Sequence, residues 1–108
     1  MDWRMERQAP FLKSVLREGQ ANRRNEVLRL ANSDQINAVS ELVMNTIKGV
    51  VPRSRNTVKV LRPHAQVLRQ MANPRNSLKK RRKWMMEQTC GSLWKELGCC
   101  YKRCLKCE

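Results

Sequence analysis

Five consecutive cations are the residues of this chain best suited to chemistry with a partner. They are Lys79, Lys80, Arg81, Arg82 and Lys83, in a chain of 108 residues whose formal net charge is +14. Cations at this density repel one another, so the run is favoured when a polyanion neutralises it, and nucleic acid is the commonest polyanion in a cell. Such a run is also typical of a nuclear import signal. It therefore predicts both phosphate binding and localisation to the nucleus.

Other side chains extend this predicted nucleic-acid-binding set. Arg62, Arg69 and Arg75 precede the run, and such cations can follow a nucleic-acid backbone without contacting its bases. Trp84 directly follows the run and has two interpretations. It could stack on a base or sugar, or it could anchor its helix to the core, and Met85 beside it favours the anchor.

The cations are concentrated in the second half of the chain. Residues 1–54 hold nine Lys or Arg against six acids, a net charge of +3, whereas residues 55–108 hold fourteen against three, a net charge of +11. The second half therefore has the charge of a polyanion-binding surface. A solvated basic face is the alternative, but a pI near 10.5 in so short a chain favours a nucleic-acid or anionic-membrane partner.

Four of the five cysteines lie near the C-terminal end and raise the question of a metal site. Cys104 and Cys107 have the CxxC spacing of zinc ligands, and Cys99 and Cys100 are the weak candidates for completing the set. Structural zinc sites usually have a second spaced pair across a loop, whereas Cys99 and Cys100 are adjacent. The spacing therefore favours unliganded thiols, and no cofactor is expected.

The sequence offers little for catalysis or for membrane insertion. One histidine, nine scattered acids and the absence of a Gly-rich phosphate loop predict that the protein is not an enzyme. No stretch approaches the roughly eighteen apolar residues that a membrane span needs. The charged first residues lack the apolar segment of a secretory signal, so an intracellular location with reduced thiols is expected.

Short helices must position these residues, because no useful segment alternates apolar and polar side chains as a strand does. The sequence predicts an all-α small bundle with a basic C-terminal helix and an irregular Cys-rich tail. Ser33 is the predicted N-cap of the clearest helix and Gly49 its left-handed end, while Pro63 kinks or restarts the next. The predicted helices begin at Pro10 and cover 22–31, 33–48 and 77–88, with a linker at 50–53. One further helix is predicted to begin at Ser54 or Asn56 and to end at 72. The predicted segments are an arm (1–9), a helical core (10–72), the basic helix (73–88) and the tail (89–108).

The helices at 33–48 and 56–72 have two interpretations. They could form a DNA-reading helix-turn-helix, but the turn of that motif is usually three or four residues, and this linker is longer and contains Pro52. Two helices packed on an aliphatic stripe are therefore favoured. An alternative function follows from the same stripe: a protein-interaction module that binds a partner helix, with the basic run serving only for import.

Several segments, taken in order, resemble one family. They are INAVSEL at 36–42, NTIKGVVP at 45–52, LRPH at 61–64, VLR at 67–69 and SLKKRRK at 77–83. They resemble the small basic proteins of Polinton (Maverick) elements and adintoviruses, which have been compared with the DNA-condensing core protein X of adenoviruses. The resemblance covers residues 8–91, and the segments at 45–52 and 77–83 are its most specific parts.

The resemblance implies a viral or mobile-element origin and a nucleoprotein role. The expected partner is double-stranded DNA, condensed without sequence specificity in the host nucleus or in the virion. The chain departs from the family after Gln88, where relatives tend to continue into Gly-Gly and a long apolar tail. Here Thr89, Cys90 and Gly91 lead into a short tail of Cys and Lys. Activities that depend on the family's tail, such as membrane or capsid contact, are therefore not carried over to this chain.

Overall fold

The computed structural model describes residues 3–49 and 54–106, with side chains over 5–49 and 54–102. These residues form helices and no strand, which confirms the all-α prediction. The linker predicted at 50–53 lies outside the described residues. The helices are α1 (Trp3–Arg7), α2 (Ala9–Arg17), α3 (Ala21–Arg29), α4 (Ser33–Ile47), α5 (Arg55–Leu61), α6 (Ala65–Ala72), α7 (Leu78–Glu87) and α8 (Gly91–Lys106), and a 3-10 turn (Arg62–His64) joins α5 to α6.

The cap of α4 differs by one residue from the prediction. Asn32 is the N-cap, because its Oδ1 accepts a hydrogen bond from the backbone N–H of Gln35 at 2.9 Å. The Gln35 Oε1 in turn accepts from the backbone N–H of Asn32 at 2.9 Å. This reciprocal capping box satisfies two donors, whereas a hydroxyl cap at Ser33 would satisfy one. At the other end, Gly49 has φ of 69°, which confirms the predicted left-handed conformation.

Serine caps start the two helices that carry the basic residues. The Ser54 hydroxyl accepts from the backbone N–H of Thr57 at 3.1 Å, and the Ser77 hydroxyl accepts from that of Lys80 at 3.2 Å. Pro63 lies in the 3-10 turn between α5 and α6, where its missing N–H breaks no helical hydrogen bond. The predicted helix starts and the predicted restart at Pro63 are confirmed.

The core is centred on α4. Its apolar residues Ile36, Val39, Leu42 and Val43 are at most 1% exposed, at the spacing of one helical face. α4 contacts α1, α2, α6, α7 and α8, and its contact with α6 is the most extensive in the described residues. The core cluster extends from α1 to α8, so helices on both sides of the segment 10–72 contribute to it.

The prediction of an irregular tail is wrong for residues 91–106, which form α8. Leu93, Trp94, Leu97 and Tyr101 are buried and follow the i, i+1, i+4, i+8 pattern of a helical face. The indole N–H of Trp94 donates to the carbonyl of Gln88 at 2.7 Å, which fixes the start of α8 against the end of α7. α8 packs on α2, α4 and α5.

A buried carboxylate ties α8 to α5. Glu96 is buried, and its two oxygens accept hydrogen bonds from the Asn56 amide at 2.8 Å and from the Thr57 hydroxyl at 2.7 Å. Both donors lie in the first turn of α5, where the helix dipole also favours a negative charge. The orientation of α5 therefore depends on a residue of the predicted tail.

Candidate nucleic-acid interface

The three lysines of the five-cation run lie on the surface of α7. Lys79, Lys80 and Lys83 are exposed, and within the described residues none of them forms a salt bridge or a side-chain hydrogen bond. Their ammonium groups are therefore available to phosphate. The Ser77 cap begins α7 two residues before the first of them, so a rigid helix presents all three.

Arg81, by contrast, lies inside the fold. It is 5% exposed, and its Nη1 donates to Asn37 Oδ1 at 2.8 Å and to Ser40 Oγ at 2.9 Å. Its Nε donates to the backbone carbonyl of Asn76 at 3.0 Å, and the Ser40 hydroxyl donates onward to the carbonyl of Met71 at 2.7 Å. Burial lowers the pKa of the Arg81 guanidinium. Arg81 thus joins α4, α6 and α7, and its Nε and Nη1 donate within the protein.

Arg82 is also used within the protein. It is half-buried, and its Nη2 donates to the backbone carbonyl of Ala31 at 2.7 Å. Ala31 follows the C-terminal end of α3, where a cation is favoured by the helix dipole and by orphan carbonyls. The run is thus divided between three surface lysines and two arginines that dock α7.

Helix geometry explains this division. Successive residues turn by about 100°, so five of them pass more than once around the helix. Because Met85 faces the core, the residue four positions before it faces the core as well. That residue is Arg81, and with Leu78 and Arg82 it completes the i, i+3, i+4, i+7 pattern of a packed face. The pattern was present in the sequence, and it shows why five adjacent cations cannot all contact one ligand.

The predicted arginines outside the run are exposed. Arg62 and Arg69 line one groove of about 240 Å³ beside the C-terminal end of α4, and Arg75 lies between α6 and α7. The sequence analysis missed Arg55 and Lys59, which are exposed and line a second groove with Arg62. Their spacing of i, i+4, i+7 places these three cations on one face, and that spacing could have identified them.

The distribution of acidic residues along the sequence also indicates a basic surface. No Asp or Glu occurs between Glu41 and Glu87, a stretch that holds twelve Lys or Arg. Those cations have no acidic neighbour along the chain to neutralise them. The exposed charges of α5, α6 and α7 are consequently cationic up to Glu87, the last residue of α7.

Trp84 contacts both the core and a surface groove. It is half-buried and packs against the core cluster, as the anchor interpretation predicts. It also lines a shallow groove with Pro63, His64 and Val67, where α7 meets the start of α6. Its indole ring therefore packs α7 against the core and also borders this groove.

The described cysteines do not converge. Cys100 is fully buried, Cys99 is half-buried and Cys90 is exposed. Adjacent residues of a helix point about 100° apart, so Cys99 and Cys100 face different surroundings. No group of three potential metal ligands occurs among the described side chains. Cys104 and Cys107 lie outside those side chains, so the prediction of unliganded thiols stays untested.

Comparisons with other proteins leave the site to be argued from its own geometry. The chain matches no family model, no curated protein and no solved structure at a significant level. Among the described residues, no helix has both the length and the apolar character to cross a membrane.

Proposed function

We propose that this protein binds double-stranded DNA without sequence specificity. The observation that carries the proposal is a set of exposed cations within a stretch free of acids. Such cations bind phosphate through charge and release counterions, and they need no contact with base edges. The set, called the basic surface below, consists of Arg55, Lys59, Arg62, Arg69, Arg75, Lys79, Lys80 and Lys83.

The rigidity of the basic surface supports this proposal. Its three lysines extend from a helix that Arg81 and Arg82 dock at both α4 and the end of α3. Lysines on a fixed helix lose less conformational freedom on binding than lysines on a mobile tail. Arg81 and Arg82 thus contribute to DNA binding by positioning the lysines, although the sequence analysis assigned them to phosphate.

The biological use we propose is condensation of the DNA of a viral or mobile element, in the host nucleus or in the virion. This part rests on the resemblance of the segments at 45–52 and 77–83 to the Polinton and adintovirus proteins. The exposed Lys79, Lys80 and Lys83 would also serve as the import signal.

Burial of the aliphatic stripe favours DNA binding over the protein-interaction alternative. That alternative needs the apolar face of α4 to be open to a partner helix, but Ile36, Val39, Leu42 and Val43 are packed inside the core. Leu30 is the large apolar side chain that stands out as exposed in the described part of the chain. A single exposed leucine is ordinary for a protein surface and gives no docking face.

The first test is a titration of reduced protein onto two labelled duplexes of unrelated sequence over a range of salt concentrations. We expect equal affinity for both and a slope of log Kd against log salt of about 5 to 7, if six to eight cations contact phosphate. Preference for one duplex would contradict non-specific binding. A slope near zero would contradict phosphate neutralisation.

A charge-matched pair of variants tests the location of the surface. We expect Lys79→Gln, Lys80→Gln and Lys83→Gln together to lower the salt slope by about 3 and to weaken binding at least tenfold at physiological salt. The control removes three exposed cations elsewhere, Lys13, Arg23 and Lys95, and should weaken binding much less. Equal losses in the two triple variants would show that only net charge matters and would reject this surface.

A further inference from the structure

A cleft on a different part of the protein has the features of a small-molecule site. It lies between the C-terminal end of α2, the connection to α3, and α8, and its volume is about 420 Å³. This is within the range of pockets that hold small organic ligands. Part of its wall is apolar and is formed by Leu16, Trp94 and Tyr101.

Arg24 is the most unusual residue of the cleft. It is 1% exposed, and its Nη2 donates to the backbone carbonyl of Glu18 at 2.7 Å. Its guanidinium carbon lies 5.1 Å from the centre of the Trp94 ring, within cation–π range. Its Nε and Nη1 are buried without a protein acceptor. Burial lowers the pKa of the Arg24 guanidinium, and Glu18 opposes that shift.

Unpaired donors on a buried cation are costly for a protein to keep. A buried donor without an acceptor costs about 1–3 kcal/mol, and more when the group is charged. Arg81, the other buried arginine among the described side chains, has acceptors for both its Nε and its Nη1. The Nε of the half-buried Arg82 is also unpaired, but Arg24 has two such donors and lines a cleft.

The charged residues around the mouth of the cleft favour a negatively charged acceptor. Lys13, Arg17, Lys95 and Lys102 line it and are exposed. Glu18 is the one acidic residue among the described residues that line the cleft. Cations around a cleft with apolar walls raise the local concentration of anions.

We propose that this cleft binds a small organic anion, a phosphate or carboxylate group carried on an apolar body, with Arg24 as the residue that binds the oxyanion. The apolar body lies against Leu16, Trp94 and Tyr101, and the guanidinium donates charge-assisted hydrogen bonds to the anion. This site is independent of the proposed DNA binding, because it shares no residue with the basic surface.

The test measures calorimetric affinities of the full chain for 1-naphthyl phosphate, 1-naphthoate and the neutral 1-naphthol. Short-chain phosphatidic acid is included to distinguish a lipid from a free organic anion. We expect both naphthyl anions to bind at least tenfold more tightly than the naphthol. We expect Arg24→Met to lower the affinity for both anions at least tenfold. Arg23 is its exposed neighbour on the same helix, and we expect Arg23→Met to leave those affinities unchanged. Equal affinities in the two variants would overturn the proposal.

A second measurement uses the wild-type protein and does not depend on how a variant folds. Cys99 lines the cleft, whereas Cys90 is exposed and does not. We expect saturating 1-naphthyl phosphate to slow the alkylation of Cys99 by iodoacetamide at least threefold and to leave Cys90 unchanged, as resolved by peptide mass spectrometry. Equal effects on both thiols, or displacement of the ligand by duplex DNA, would contradict a separate small-molecule site.

Discussion

At the scale of single residues, adjacent cations of one run have opposite roles. The Arg81 side chain donates three hydrogen bonds within the fold, whereas the Lys80 side chain beside it donates none among the described residues. A guanidinium suits the inward position, because its planar set of donors can reach several acceptors at once. An ammonium suits the outward position, because it stays hydrated until phosphate replaces the water.

This difference predicts that two substitutions have very different effects on the free energy of unfolding. Arg81→Met removes the donors that satisfy Asn37 and Ser40, so we expect it to lower the free energy of unfolding by about 2–4 kcal/mol. Lys80→Ala should change it by no more than about 0.5 kcal/mol. Urea unfolding followed by circular dichroism measures both. Equal stability of the two variants would contradict the structural role of Arg81.

At the scale of elements, the sequence predicted the helices that have strong end signals. Ser77 identified the start of α7 and Gly49 identified the end of α4, whereas the start of α5 was predicted at either Ser54 or Asn56. The register of α7 was also within reach, because Arg81 and Met85 are four residues apart. The buried donors of Arg24 could not be predicted, since they depend on how α3 packs against Trp94 of α8.

α8 was missed for a physical reason. Two glycines lie within it, and Gly is a poor helix former in isolation. Four of the last ten residues are also cysteines, a composition typical of metal sites and not of a packed helix. Packing overrides propensity here, because Gly98 lies against Leu16 of α2, and a Cβ at that position would be 3.6 Å from the Leu16 Cβ.

Because α8 is part of the core, shortening one of its buried side chains should destabilise the whole protein. Leu97 is fully buried, so we expect Leu97→Ala to lower the free energy of unfolding by about 2–5 kcal/mol. Lys95→Ala, two residues earlier and exposed, is the control and should cost about 0.5 kcal/mol or less. Thermal unfolding of both variants gives the comparison. A Leu97→Ala protein as stable as the unaltered chain would show that packing of α8 does not contribute to the stability of the fold.

At the scale of the whole molecule, size and charge together predict how densely the protein covers DNA. Its extents are 31 × 29 × 28 Å. Since DNA advances 3.4 Å per base pair, a molecule of this length covers about nine base pairs, which carry about eighteen phosphates. A net charge of +14 would neutralise most of that charge. One molecule on this length of DNA is therefore close to charge balance.

We expect a titration at low salt to end at one protein per about seven to nine base pairs, between charge neutrality and full coverage. Light scattering in the same titration should rise as this ratio is approached, because neutralised DNA no longer repels itself. An end point at one protein per twenty or more base pairs would contradict condensation by coverage.

The position of α8 in the chain also determines the order of events during synthesis. Leu93, Trp94 and Leu97 complete the core, yet the ribosome makes them after every other described helix. The earlier helices therefore lack part of their core until α8 has been made, and we expect a chain that ends at Gln88 to be cleaved by protease faster than the full chain.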